Sequence, residues 1–308
     1  MRVAVFGGSG FVGSHVADAL TVKRHDVVIV DRQPSPYASA GQEMIVGDIR
    51  DGNLVDRAVH GCEVVYHFAG LADLDACRRL PIETVQANIL GTVLLANACV
   101  KAHVSRFVYA STVYVYSSTG GFYRVSKQAA ENYIEEFHRC DHLHFTILRY
   151  GTLYGPRADE RNSVWRFLRA AIEDRRIVYP GNGEEIREYI HVADAARCSI
   201  DVLAPEYEDQ HVVLTGQHPM RVRDLMLMIQ EMVGQTVEVQ YTSELAPGEN
   251  DHYRVTPYSF QPRIARKLVS SYYLDMGQGL LQSLSEIAET LTVHGGAHAP
   301  ITKGTRGV

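Results

Sequence analysis

The chain has 308 residues, of which 46% are apolar and 21% charged, and its net charge is −6. That is enough chain for a large core in one or two domains, and the acidic balance argues against a nucleic-acid surface or a polybasic membrane face. No apolar run reaches membrane-spanning length. The five cysteines are odd in number and have no C-x-x-C spacing, which suits reduced thiols in a cytoplasmic protein. A first strand starting at Arg2 leaves no room for a signal peptide.

Arg2 to Phe6 reads as a buried strand, Ser14 to Leu20 as a helix, and Asp26 to Val30 as a second buried strand ending in Asp31. Between strand and helix lies Gly7-Gly8-Ser9-Gly10-Phe11-Val12-Gly13. In such a βαβ unit Gly7 allows the tight turn, Gly10 lets backbone approach a pyrophosphate, and Gly13 lets the helix pack on the strand. The helix N-terminus, with Phe11 and Val12, then offers free N–H groups to the phosphates. Asp31 stands eighteen residues beyond Gly13, the reach needed for a ribose diol. A carboxylate there favours NAD, because it repels a 2′-phosphate; Arg32 beside it joins the candidate cofactor residues. Farther on, Tyr123 and Lys127 are four apart and share a face if the segment is helical. The Lys127 charge can lower the pKa of the phenol, which can then take a proton from an alcohol while hydride leaves the same carbon.

The G-x-x-G-x-x-G spacing followed by Y-x-x-x-K resembles the extended short-chain dehydrogenase/reductase family, in the branch that modifies nucleotide sugars. The resemblance runs from Arg2 to about Leu280. It implies an α/β fold, a doubly wound and mostly parallel Rossmann sheet with a smaller C-terminal substrate domain. The implied division is 1–150 for NAD, 151–293 mainly for the nucleotide sugar, and a tail at 294–308. The chain would cross over near 150–160 and return to the sheet around 186–215.

The remaining motifs can be placed against that family in chain order. Glu43 to Val46 reads as a strand, after which Asp48 and Ile49 match residues that flank the adenine; Asp48 or Asp51 could also cap a helix. Val64 to Phe68 reads as a strand, and Phe68, Ala69 and Gly70 then match residues beside the cofactor. Within it, His67 reads as a buried, hydrogen-bonded residue. Pro81 to Val100 reads as one long helix in which Asn88 matches a cofactor contact. The family pairs this helix with the Tyr-bearing helix of a second subunit, so a homodimer through 81–100 and 123–139 is expected. Arg106 to Ala110 is a strand ending in Ser111-Thr112. Thr112 matches the hydroxyl that hydrogen-bonds the reacting sugar oxygen, with Ser111 as a lesser substrate contact.

Sugar-nucleotide 4,6-dehydratases place an Asp-Glu pair at the next two positions. Here these are Val113 and Tyr114, which cannot serve as the acid and base of an elimination, so 4,6-dehydration is rejected. The loop before Tyr123 is also short, only residues 117–122. After the strand Leu143 to Tyr150, Tyr150 matches a cofactor contact and Thr152 a substrate contact. Asn162 precedes a helix expected at Ser163 to Asp174 and matches a phosphate contact. Arg187 matches the Arg that grips the diphosphate, whose paired oxygens suit a planar guanidinium. Arg254 is the candidate for a second substrate Arg, in a polar loop from Gly248 to Tyr258. Asp194 is expected to cap a helix running to Leu203. Strands are also expected at Arg176 to Tyr179, His211 to Thr215 and Val237 to Tyr241, with a helix at Arg221 to Val233.

These matches imply an NAD-dependent nucleotide-sugar 4-epimerase, with Thr112, Tyr123 and Lys127 catalytic and no metal. Substrate contacts would be Ser111, Thr112, Tyr123, Thr152, Asn162, Arg187 and Arg254. A nucleotide-sugar 4-dehydrogenase or 4-ketoreductase, for example on a nucleotide-linked heptose, would use the same residues. A non-catalytic nucleotide-sensing member of the fold is the reading from another class.

Overall fold

The computed structural model describes residues 1–234, 236–242, 254–257, 265–269 and 272–294. The expected tail from 295 onward, most of the 248–258 loop and the start of the Pro262 to Leu268 segment lie outside the described residues. The first half alternates strand and helix: β1 (Arg2–Phe6), α1 (Phe11–Val22), β2 (Asp26–Asp31), β3 (Gln42–Val46), α2 (Gly52–Val59), β4 (Val64–His67), α3 (Leu74–Arg79), α4 (Pro81–Thr84), α5 (Gly91–Lys101), β5 (Arg106–Thr112), α6 (Gly121–Asp141) and β6 (Phe145–Tyr150). The second half carries β7 (Thr152–Tyr154), α7 (Ser163–Glu173), β8 (Arg176–Pro180), β9 (Ile186–His191), α8 (Val192–Asp201), β10 (Gln210–Leu214), β11 (Pro219–Arg221), α9 (Val222–Val233), β12 (Glu238–Thr242), β13 (Arg266–Lys267) and α10 (Met276–His294).

Among the described residues the main sheet has eight strands in the order β13-β10-β6-β5-β4-β1-β2-β3, all parallel. Both faces are covered, as parallel strands require. Because side chains alternate across a strand, Ala4 and Phe6 enter one core while Val3 and Val5 enter the other. The first core lies under α2, α5 and α6, with Leu54, Leu95 and Ile134 buried against the sheet. The second lies under α1 and α8, with Val16, Leu20 and Ala195. A third core joins α7, α9 and α10 beside two small sheets, β11-β9-β7 and β12-β8. The direction of winding reverses between β1 and β4, which opens a crevice at the carboxyl ends of these strands.

Several elements differ from expectation. The helix expected from Pro81 is not regular: a π-turn over Val85–Leu90 separates α4 from α5. Of two short helices, α2 is fixed by the Asp51 side chain, one of the two aspartates expected to cap a helix there, while α3, capped by Asp73, was not foreseen. Asp194 does not cap α8. His191 does, through a bond from the Ala193 N–H at 3.3 Å, while Asp194 sits in the first turn and accepts from Arg197 and from the Leu274 N–H. An aspartate three residues into a helix faces the helix dipole, so charge still favours it there. No described helix is long and apolar enough to cross a membrane.

Candidate active site

The crevice is built first from glycine. Gly7 has φ +79°, and a Cβ there would stand 2.5 Å from the Ala69 backbone nitrogen. A Cβ at Gly13 would stand 2.2 Å from the Gly7 carbonyl oxygen. Side chains at either place would push the loop off β4 or off α1. α1 begins from an extended Gly10 with no side-chain cap and no acid in its first turn. The opening N–H groups, those of Phe11, Val12 and Gly13, therefore face the crevice end without a capping side chain, an arrangement suited to an anion. Asp31 ends β2 and accepts from the Ser9 N–H at 3.1 Å, so the carboxylate is tied to the glycine loop. This set fits a dinucleotide: uncapped N–H groups for its pyrophosphate and a fixed carboxylate for a ribose diol.

Around that loop, Asp48 accepts two bonds from the Arg50 side chain, at 2.6 and 2.9 Å. Those bonds hold its carboxyl below the usual range, and Arg32 adds a weaker pull from the end of β2. Ile49 is buried and packs where a Cβ on Gly91 would come within 2.9 Å of it. Phe68 stacks on Tyr66 with ring centroids 6.1 Å apart. Gly70, at φ +146°, would drive a Cβ to 2.6 Å from Asn88 Oδ1.

The reactive end lies at the carboxyl end of β5. Thr112 is its last residue, 6% exposed, and its Oγ1 accepts from the Tyr114 N–H at 3.2 Å. That bond starts a 3₁₀ turn at Val113–Tyr116. The Thr112 hydroxyl proton remains available for another acceptor. Tyr123 stands in the first turn of α6 and Lys127 one turn later. Lys127 Nζ lies 5.9 Å from the Tyr123 ring centroid and 4.7 Å from that of Tyr109, and it donates to the Ala110 carbonyl at 2.8 Å. Lys127 is buried, and burial lowers its pKa to about 8 against the opposing pull of Cys77 and Glu131. At neutral pH the ammonium therefore keeps most of its charge beside the phenol. His67 is buried against Thr92 at 2.9 Å, and burial drives its pKa well below the ordinary value, so it is a neutral, structural histidine.

Four expected contacts take different positions. Ser111 is turned away from Thr112, because successive residues of a strand face opposite sides, and it donates to Glu131 in the interior. Tyr150 is in the second core with its hydroxyl 2.6 Å from Ser199 Oγ, not in the crevice. Asn162 caps α7 by accepting from the Trp165 N–H and donates to the Leu153 carbonyl, so its amide holds the helix start. Asn88 is 1% exposed and its amide is fixed by the Leu71 N–H, the Leu71 carbonyl and Ser126 Oγ. It positions the segment after Gly70 and the Tyr-bearing helix instead of facing the crevice.

Toward the second half, Arg187 lies in the middle strand β9, partly exposed. The segment carrying Arg254 runs beside it: the Ile186 N–H donates to the Arg254 carbonyl and the Glu188 N–H to Thr256 Oγ1. The two expected substrate arginines thus stand on neighbouring backbone. Thr152 pairs with Tyr189 of the same sheet, so it is on the same side of the molecule.

Sequence reasoning missed a buried network beneath the site. Arg149 donates twice to Glu131, at 3.0 and 2.6 Å, and once to the Tyr116 hydroxyl, and Glu131 also receives Ser111. Both charged side chains are 2% exposed. Two signals could have found it: an arginine inside the otherwise apolar strand FTILRY, and the i, i+4, i+8 stripe Tyr123, Lys127, Glu131 on one helix face. Also missed was Tyr114, whose ring meets the Tyr123 ring edge-on at 6.2 Å.

Residues 3–214 match the model of the NAD dependent epimerase/dehydratase family. A putative UDP-glucose 4-epimerase of Methanocaldococcus jannaschii is 26% identical over 274 residues, 82% of this chain and 88% of that protein. A dTDP-D-glucose 4,6-dehydratase of Mus musculus is 27% identical over 228 residues, 66% of this chain and 64% of that one. Among solved structures, MoeE5 in complex with UDP-glucose and NAD superposes with a TM-score of 0.79 at 26% identity, covering 94% of this chain and all (100%) of that one.

Proposed function

The chain belongs to the NAD dependent epimerase/dehydratase family, an enzyme family whose cofactor is NAD, and on that premise we propose that it is a nucleotide-sugar 4-epimerase. The observation that carries this reading is the composition of the reactive end. Thr112 ends β5, Tyr123 and Lys127 lie one turn apart on α6, and Lys127 donates to the Ala110 carbonyl of β5, while Val113 is 1% exposed in an apolar cluster with Val213 and Tyr114 packs on Tyr123. A carboxylate pair for elimination is absent from positions 113 and 114, which leaves redox chemistry at one carbon.

Tyr123, beside the Lys127 ammonium, takes the proton of the sugar 4-hydroxyl. Thr112 donates a hydrogen bond to the same oxygen. Bound NAD, held by the glycine loop and Asp31, would supply reversible hydride transfer at C4. Tyr123 gives its proton back to the oxygen as the second face is reduced. Arg187 and Arg254 hold the diphosphate, so the sugar can turn about a fixed end. Gly7, Gly10, Phe11, Val12, Gly13, Asp31 and Arg32 hold the dinucleotide, with Asp48, Ile49, Phe68, Ala69 and Gly70 lining the adenine and nicotinamide ends. Residues 1–150 form the cofactor unit and 151–293 mainly the sugar unit.

We also place the enzyme in the cytoplasm and pair it as a homodimer through 81–100 and 123–139. Ile82, Val85, Leu90, Val125 and Tyr133 are exposed apolar residues on those helices, which supports that pairing. One feature favours the runner-up, a 4-dehydrogenase or 4-ketoreductase. The turn before α6 is short and internally tied, with Thr119 and Arg124 both bonded to Ser117, so little chain covers the sugar on that side.

The test is incubation of the purified protein with UDP- and dTDP-sugars in deuterated water without added NAD. Conversion to the C4 epimer without solvent deuterium at C3 or C5, lost in Tyr123→Phe, is expected. A 4-keto product accumulating with bound NADH would replace the epimerase reading with the dehydrogenase.

A further inference from the structure

A second group of polar side chains lies at the other end of the sheet. His138 is in the last turns of α6, His144 immediately precedes β6, and Asp209 immediately precedes β10. His138 Nδ1 is 3.3 Å from Asp209 Oδ1 and 3.3 Å from the Leu143 carbonyl oxygen. His144 Nδ1 is 3.0 Å from Asp209 Oδ2 and 3.4 Å from Glu208 Oε1. One ligand atom each from His138, His144 and Asp209 lies within 4.8 Å of the others.

We propose that His138, His144 and Asp209 form a binding site for a divalent ion of the zinc, cobalt or nickel class. Imidazole nitrogen and carboxylate oxygen bind such ions at about 2.0–2.2 Å, so two ligands of one ion are about 3.4 Å apart at a tetrahedral angle and about 3.0 Å at a right angle. The His138–Asp209 and His144–Asp209 separations, 3.3 and 3.0 Å, fit that geometry. The donor set, two imidazoles with hard oxygens, is one that borderline transition ions prefer and that calcium and magnesium do not. The nearby guanidinium of Arg106 is paired with Glu208 Oε2 and leaves Oε1 toward His144. Arg139 is likewise occupied by Glu136.

The ion would fasten α6, β6 and the corner before β10 at the amino ends of the strands. Thr112 and Leu214 lie at the carboxyl ends, so the metal acts on the seating of the Tyr-bearing helix and not on the reaction.

The experiment uses the untagged full chain, stripped with EDTA, and titrates Co(II) and then Zn(II). One equivalent of Co(II) should bind with visible d–d bands of nitrogen and oxygen coordination, Zn(II) should displace it, and the thermal midpoint should rise on saturation. His144→Gln replaces a side chain that is 45% exposed, and Asp209→Asn keeps the oxygen that accepts from the Phe145 N–H. Each should weaken Co(II) binding by at least the roughly 10- to 100-fold that loss of an outer-shell partner costs. His60→Gln, at an exposed site on another element, should change nothing. Absence of saturable Co(II) binding in the wild type overturns the proposal, and so does undiminished binding in both His144→Gln and Asp209→Asn.

Discussion

Replacing Lys127 by Met separates what this residue does for chemistry from what it does to the fold. Burial lowers the Lys127 pKa to about 8 from an ordinary 10.5. A gap of about 2.5 units, at about 1.4 kcal/mol per unit, makes the buried ammonium cost the folded state about 3 kcal/mol. The sign follows from proton counting. Between pH 8 and 10.5 the unfolded chain holds this proton and the folded chain has released it, so the wild type gains stability through that window. Below pH 8 both states are protonated and the full cost is present. Lys127→Met removes that cost and also the hydrogen bond to the Ala110 carbonyl, worth about 1 kcal/mol. At pH 7 the variant should therefore be about 2 kcal/mol more stable than the wild type while losing the proposed epimerisation. Urea unfolding of both proteins from pH 7 to 10.5 reads this directly, because other titrations cancel in the difference. The advantage of the variant should shrink by about 3 kcal/mol across the window. A difference that does not change with pH, or a variant several kcal/mol less stable at pH 7, refutes the reasoning.

Arg149→Met should cost about 3–5 kcal/mol in urea unfolding, because it strands the Glu131 carboxylate in the interior; adding Glu131→Gln should recover part of the loss. Gly120→Ala should lower kcat more than it raises KM: the residue has φ +95° and its Cβ would meet the Tyr114 ring at 2.6 Å, which moves the ring packed on Tyr123. Pairing it with Tyr114→Ala should relieve the steric part and leave the backbone strain, about 1–3 kcal/mol. Asp31→Ala should weaken NAD binding at least tenfold by calorimetry, since it removes one charged hydrogen-bond partner worth about 1.5–3 kcal/mol; unchanged affinity would move the ribose diol elsewhere.

The alternating strand and helix pattern of the first 150 residues was legible because parallel strands buried on both faces read as apolar runs, and the glycine spacing marked the turn between them. The proposed catalytic positions rest on local signals: Thr112 ends a strand, and Tyr123 and Lys127 lie one helical turn apart. Ser111 and Tyr150 were misplaced for the opposite reason. Motif position does not say which face of a strand a residue takes, and both point into the interior. Asn162 and His191 show the same limit at helix starts, where several polar neighbours could cap and only the backbone geometry selects one. The Glu131–Arg149 pair joins residues 18 apart in sequence through helix and strand packing, which no spacing rule on a single element reports. The His138, His144 and Asp209 group is more distant still, its last two members standing 65 positions apart.

The π-turn at Val85–Leu90 has a consequence for the molecule's outer surface. In an unbroken α-helix, at about 100° per residue, Leu90 would be turned some 140° from Val85 and 80° from Ile82. A π-turn absorbs about one extra residue, so Leu90 takes the angular place of its predecessor. It then lies within about 40° of Val85 and 20° of Ile82, and these three exposed apolar residues form one continuous stripe. Deleting a single residue between 85 and 90 would therefore restore a regular helix and still keep Ile82, Val85 and Leu90 on one stripe, whereas winding the full-length segment as a regular α-helix would carry Leu90 out of phase with the other two.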